Sequence, residues 1–332
     1  MANADQLKAL LRSHLQGDDE HFYAVAMQLA AHQAKLGHGK LAEELRAIID
    51  DAKSRRSVEG LVRKTVPINQ PRGELAGLLQ VTYPQSRLED MVLDESISER
   101  LRRILKEQRN FAKIQQHGLV PRRKLLLVGP PGTGKTMTAA ALAGELGIPL
   151  FLVRLDALIT KFMGETAAKL RQIFGAISEV RGVYFFDEFD AIGSYRGATN
   201  DVGEMRRVLN SFLQMIEQDA SSSVIVAATN HPEILDYALF RRFDDVVEYC
   251  LPQREQIISV LKSKLSFFEN QKLRWAHLAE VAEGLSYAEI TRVAEEAIKD
   301  AIIHDRSKIT QAELERILGE RQAVRARKSG SV

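Results

Sequence analysis

Gly129-Pro130-Pro131-Gly132-Thr133-Gly134-Lys135-Thr136 follows an apolar run, Lys124–Val128, and opens a helical pattern over 136–146. This is G-x-x-x-x-G-K-[ST] in the strand–loop–helix setting that gives the pattern its meaning. Glycines let backbone N–H groups turn inward around an anion, and the following helix adds the partial positive charge of its N-terminus. Lys135 is placed to reach the terminal phosphates of a nucleotide, and the Thr136 hydroxyl to ligate Mg²⁺. The segment from Gly129 to Met137 is thus the expected binding element, with ATP and Mg²⁺ as its ligands.

Outward from this loop, short apolar runs at Lys124–Val128, Leu150–Val153, Val183–Phe186, 224–227 and 246–249 alternate with helical patterns near 136–146, 166–177 and 205–216. Continuous apolar strands between amphipathic helices predict a parallel sheet covered on both faces. Beyond Pro252 the periodicity is helical throughout, at 257–268, 286–304 and 311–323. At the other end, Leu7, Leu10, Leu11 and Leu15 open the first of three short helical stripes. A charged, Pro- and Gly-broken stretch follows them. The expected fold class is therefore α/β: a P-loop NTPase parallel sheet covered by helices, followed by an all-helical lid domain and preceded by a small helical N-domain. The expected boundaries are 1–50 for the N-domain, 51–87 for a linker, 88–252 for the large domain, 253–324 for the lid and 325–332 for a tail.

Composition excludes more than it identifies. With 46 basic and 44 acidic residues the net charge is +2, and no basic patch interleaved with aromatics stands out. Nucleic acid is not an expected partner. No apolar stretch approaches the roughly 20 residues that span a bilayer, and the N-terminus lacks a signal-peptide pattern. Membrane insertion is therefore not expected, and the expected compartment is the cytoplasm. The single cysteine, Cys250, sits in an apolar run ending at Pro252 and is expected as a buried core residue.

A second chemical element is Val183-Tyr184-Phe185-Phe186-Asp187-Glu188. An apolar strand ending in two acids suits the Mg²⁺ side of a nucleotide site: Asp187 to hold the ion through its water shell, Glu188 to orient and deprotonate the attacking water.

Taken in order, these motifs resemble the AAA+ ATPases, in the branch containing FtsH, katanin and spastin, over about residues 88–305. Residues 224–230 (VIVAATN) are similar to the family's sensor-1 strand, which implies that Asn230 hydrogen-bonds the lytic water or γ-phosphate. Leu235-Asp236 through Ala238 to Arg241-Arg242-Phe243-Asp244 is similar to the arginine-finger segment, which implies that Arg241 and Arg242 reach the ATP of a neighbouring subunit. Residues 284–290 (GLSYAEI) resemble the start of the lid helix over adenine. There Ala288 stands where other branches carry an arginine. The entry segment, Leu88-Glu89-Asp90-Met91-Val92-Leu93, lacks the double glycine common in the family.

The resemblance implies a ring, a hexameric homo-oligomer acting on a polypeptide substrate. Lys161-Phe162-Met163-Gly164 stands where relatives carry a pore loop. Phe162 offers an apolar face that can hold many sequences, and the flanking Lys161 and Glu165 are residue types rarely buried in a core. A polar stretch over 193–203 is a second candidate pore segment. No H-E-x-x-H zinc site occurs, so the chain is not expected to be a self-contained FtsH-like protease. Its layout resembles bacterial single-module AAA proteins that accompany a separate subtilisin-like protease.

Overall fold

The computed structural model describes residues 71, 73–158, 163–189, 201–234, 237–266, 268 and 273–329. The expected N-terminal helices, the linker as far as residue 70, Lys161, Phe162 and most of the 193–203 segment lie outside them. Met163 enters only as the first residue of a helix.

The first described elements are a short helix, α1 (Leu75–Leu78), and a strand, β1 (Leu79–Thr82). Next come α2 (Glu95–Arg109), α3 (Phe111–Gln116), β2 (Lys124–Val128), α4 (Lys135–Leu146) and β3 (Leu150–Val153). After α5 (Leu155–Leu158) and α6 (Met163–Glu179) come β4 (Val183–Phe186), α7 (Asp201–Gln218) and β5 (Val224–Thr229). α8 (Tyr237–Phe240) and β6 (Asp245–Glu248) complete the sheet-bearing part. The remainder is helical: α9 (Arg254–Lys264), α10 (Trp275–Val281), α11 (Tyr287–Ile303) and α12 (Gln311–Ser329).

The sheet order is β1-β3-β4-β5-β2-β6. Pairing is parallel from β3 to β6, as the apolar runs predict. β1 runs antiparallel to β3, with Leu79 opposite Val153, inside the segment expected as a linker. The central strands are buried along their length because the pleat sends successive side chains to opposite helical layers. Leu126, Tyr184, Phe186, Ile225 and Ala227 join one core with Phe174 and Phe212 of α6 and α7. Leu125, Leu127, Val183, Phe185 and Val226 join the other with Leu101, Ile104 and Leu142 of α2 and α4. The lid has its own core around Ile257, Leu261, Ile290, Val293, Leu314 and Leu318.

Cys250 corrects an expectation: it is exposed. Val247 and Tyr249 point into the core, so the period-two alternation turns Glu248 and Cys250 outward.

Candidate nucleotide-binding site

Adjacent parallel strands β4, β5 and β2 end side by side, and their carboxyl ends deliver the chemistry. β2 runs into the phosphate loop, β4 into Asp187 and Glu188, and β5 into Asn230.

Lys135 is buried, and its ammonium donates to the carbonyls of Gly129 (2.7 Å) and Pro130 (2.8 Å) and to Asn230 Oδ1 (2.8 Å). Thr133 Oγ1 donates to the Pro130 carbonyl at 2.8 Å, closing the turn on itself. Gly134 and Gly132 hold φ of +101° and +76°, which a Cβ would strain. Gly129 is needed for space, because a Cβ there would run into the carbonyl of Tyr249. Tyr249 braces the loop twice more. Its N–H donates to the Val128 carbonyl (2.7 Å), and its hydroxyl pairs with Thr138 Oγ1 (2.7 Å) in the buried interior. Burial pushes that hydroxyl up to about 12, so it stays protonated.

Thr136 Oγ1 donates to Asp187 Oδ2 at 3.0 Å, joining the phosphate loop to the end of β4. A hydroxyl and a carboxylate are the hard oxygen donors that Mg²⁺ takes alongside phosphate and water, so the pair fits that ion. Glu188 is exposed to the cleft with φ +49°, an uncommon conformation for a residue with a Cβ, and Asp187 Oδ1 accepts its N–H at 3.0 Å. The sharp turn separates the two carboxylates in direction: one engages Thr136 while the other stands free of that contact.

These residues line one cleft of about 620 Å³ between the sheet and the lid. Pro131 to Met137, Asp187, Glu188, Asn230 and Ala288 all reach it. Gly129 and Pro130 do not, and act through the carbonyls that hold Lys135. Asp90, Met91 and Val92 form part of the wall although the entry segment has no double glycine. The lid adds residues that sequence reasoning did not single out: Val260, Ser263 and Lys264 of α9, with Tyr287, Thr291, Arg292 and Glu295 of α11. Of these, Thr291, Arg292 and Glu295 share with Ala288 one face of α11 by their i+3, i+4 and i+7 spacing, whereas the α9 residues carry no local signal. Burial pushes the Tyr287 hydroxyl up to about 12, helped by the negative charge of Asp94 and by Cys250. Arg241 and Arg242, just after α8, are exposed and do not line the cleft. Arg242 instead pairs with Glu217 at the end of α7.

Comparison with known proteins agrees with this geometry. The model of the ATPase family associated with various cellular activities (AAA) matches residues 125–251. The chain is 36% identical over 329 residues to the "Uncharacterized AAA family ATPase y4kL" of Sinorhizobium fredii, covering 98% of this chain and 97% of that protein. It is 33% identical over 253 residues to the ATP-dependent zinc metalloprotease FtsH 3 of Sphaerobacter thermophilus, 74% of this chain and 51% of the protease. It is 36% identical over 230 residues to the proteasome-activating nucleotidase of Thermococcus onnurineus, 66% of this chain and 57% of that one. The match thus spans little more than half the length of the latter two relatives. Among the described residues no helix is long and apolar enough to cross a membrane. With a phosphate loop, an acid-ended strand and an asparagine-ended strand converging on one cleft, the chain belongs to the AAA family of ATPases.

Proposed function

We propose that this ATPase assembles into a homo-oligomeric ring, a hexamer as the family resemblance implies, and couples ATP hydrolysis to remodelling, unfolding or translocation of polypeptides. The observation that carries the ring is the split arrangement of polar groups. Lys135 is hydrogen-bonded to Asn230 and Thr136 to Asp187 within one chain, whereas Arg241 and Arg242 are exposed and do not line that chain's cleft. A neighbouring copy gives the arginines a nucleotide to reach. The polypeptide substrate is supported by the resemblance to FtsH and to proteasome-activating nucleotidase, with Lys161, Phe162 and Met163 as the gripping loop. The cytoplasm is the proposed compartment.

In this reading the backbone N–H groups of 131–136 bind the phosphates, and Lys135 turns its ammonium from the Gly129 and Pro130 carbonyls toward the terminal ones. Thr136 and Asp187 hold Mg²⁺, which supplies neutralisation of phosphate charge. Asn230 orients the attacking water and Glu188 takes its proton. Arg241 and Arg242 of the next subunit stabilise the charge that develops on the transferred group. Association with a separate, subtilisin-like protease is a second reading, supported in its general form by the likeness to a proteasome-activating nucleotidase.

Glu188→Gln tests both the chemistry and the class of substrate. It should retain ATP, lose about 10²- to 10⁴-fold in turnover and hold an assembled ring with substrate bound, for identification by mass spectrometry. Turnover at the wild-type rate would refute the base assignment. Wild-type ATPase stimulated by DNA and not by unfolded protein would refute the polypeptide reading.

A further inference from the structure

The turn over 282–286 carries the lid onto the phosphate loop, and it is held from behind by α12. α10 ends at Val281, where the last carbonyls of a helix have no partner within it. Gln322 supplies one: its Nε2 donates to the Val281 carbonyl (3.1 Å) and to the Glu283 carbonyl (2.8 Å). Gly284 then takes φ +87°, and its open face is covered by the Arg325 guanidinium, which a Cβ at 284 would meet. Beyond this turn Ser286 caps α11, its N–H and hydroxyl both donating to Glu289 Oε2 at 2.8 Å.

The capped end of α11 rests directly on the nucleotide site. Ala288 N–H donates to the Gly132 carbonyl at 3.1 Å. A Cβ on Gly132 would lie 2.7 Å from Ser286 Oγ and 3.1 Å from the Ala288 methyl. Contact therefore runs without a gap from α12 through the turn to the middle of the phosphate loop. Neither Gln322 nor Arg325 lines the cleft.

We propose that Gln322 and Arg325 are positioning residues, through which α12 sets the affinity for nucleotide by keeping the lid seated on Gly132. A lid that is seated only part of the time lowers apparent affinity in proportion to the seated fraction. Each hydrogen bond from Gln322 shifts that equilibrium by roughly three- to tenfold. The effect falls on ground state and transition state alike, so it belongs in KM and not in kcat.

The test uses the full chain, equilibrium binding of N-methylanthraniloyl-ATP, and steady-state ATPase assays. Gln322→Met keeps the volume and removes both donors; Gln322→Lys restores an N–H donor facing the same carbonyls. Gln322→Met should weaken binding about ten- to hundredfold and raise KM in step, with kcat within about twofold and the protein still folding cooperatively above the assay temperature. Gln322→Lys should return to within about threefold of wild type, and Arg325→Met should show a smaller loss than Gln322→Met. A folded Gln322→Met that binds like wild type overturns the proposal, as does Gln322→Lys failing to restore affinity. If Gln322→Met does not fold, Arg325→Met decides: affinity lost at an unchanged melting temperature supports the strut, and affinity retained overturns it.

Discussion

The phosphate loop and the arginine pair carry cations of the same charge, yet they are built in opposite ways. Lys135 is buried at 6% exposure and fixed by three acceptors, with a sheet beneath and a lid above. Arg242 sits after a single helical turn, with its side chain 39% exposed, and leans on Glu217, itself 58% exposed. A pair exposed to that degree contributes at most about 1 kcal/mol, so little holds the guanidinium where it lies. A group whose partner is always present can be fixed at folding. In the proposed ring the arginines' partner would arrive only with assembly, and a weakly held guanidinium would be free to turn toward it.

The largest effect of a single change should come from the fixed cation. Lys135→Met removes charge-assisted hydrogen bonds to phosphate and should weaken ATP binding on the order of 10²- to 10³-fold, read by equilibrium binding, with turnover lost. Arg241→Ala or Arg242→Ala should leave affinity within about twofold and lower turnover about 10²- to 10³-fold. Mixing the Lys135 variant with an arginine variant should then recover part of the activity, since each supplies what the other lacks. If the arginine variants lose nucleotide affinity and mixing restores nothing, both cations serve the same chain and the contrast collapses. The smallest effect lies under the loop. Tyr249→Phe removes a buried hydroxyl bonded to Thr138 and should cost about 1 kcal/mol of stability by denaturant titration, because Thr138 keeps the Gly134 carbonyl at 3.1 Å as a second partner.

Much of this was legible before any coordinates. β2, β4 and β5 are buried on both faces, so each appears as an unbroken apolar run, and the motif residues follow directly on those runs. β1 left no such trace: it has four residues, lies at the edge, and buries only Leu79 fully. α2 was obscured by its charges, since Leu101, Ile104 and Leu105 form a narrow buried stripe among arginines and glutamates that face outward. The lid wall of the cleft was illegible for another reason. Val260, Lys264 and Thr291 are brought to the nucleotide side by the packing of α9 on α11, which no local pattern encodes. Cys250 was misjudged because an apolar run read as a unit conceals the alternation within it.

That outward-facing thiol is also a practical handle. Cys250 is the single cysteine of the chain, it follows β6 where the chain leaves the sheet for the lid, and it is near enough to Tyr287 to bear on its ionisation. A maleimide fluorophore would therefore attach at one defined place without any engineered cysteine. Placed where the chain passes from the sheet to the lid, it would report any movement of the lid during the ATP cycle as a change in its own surroundings.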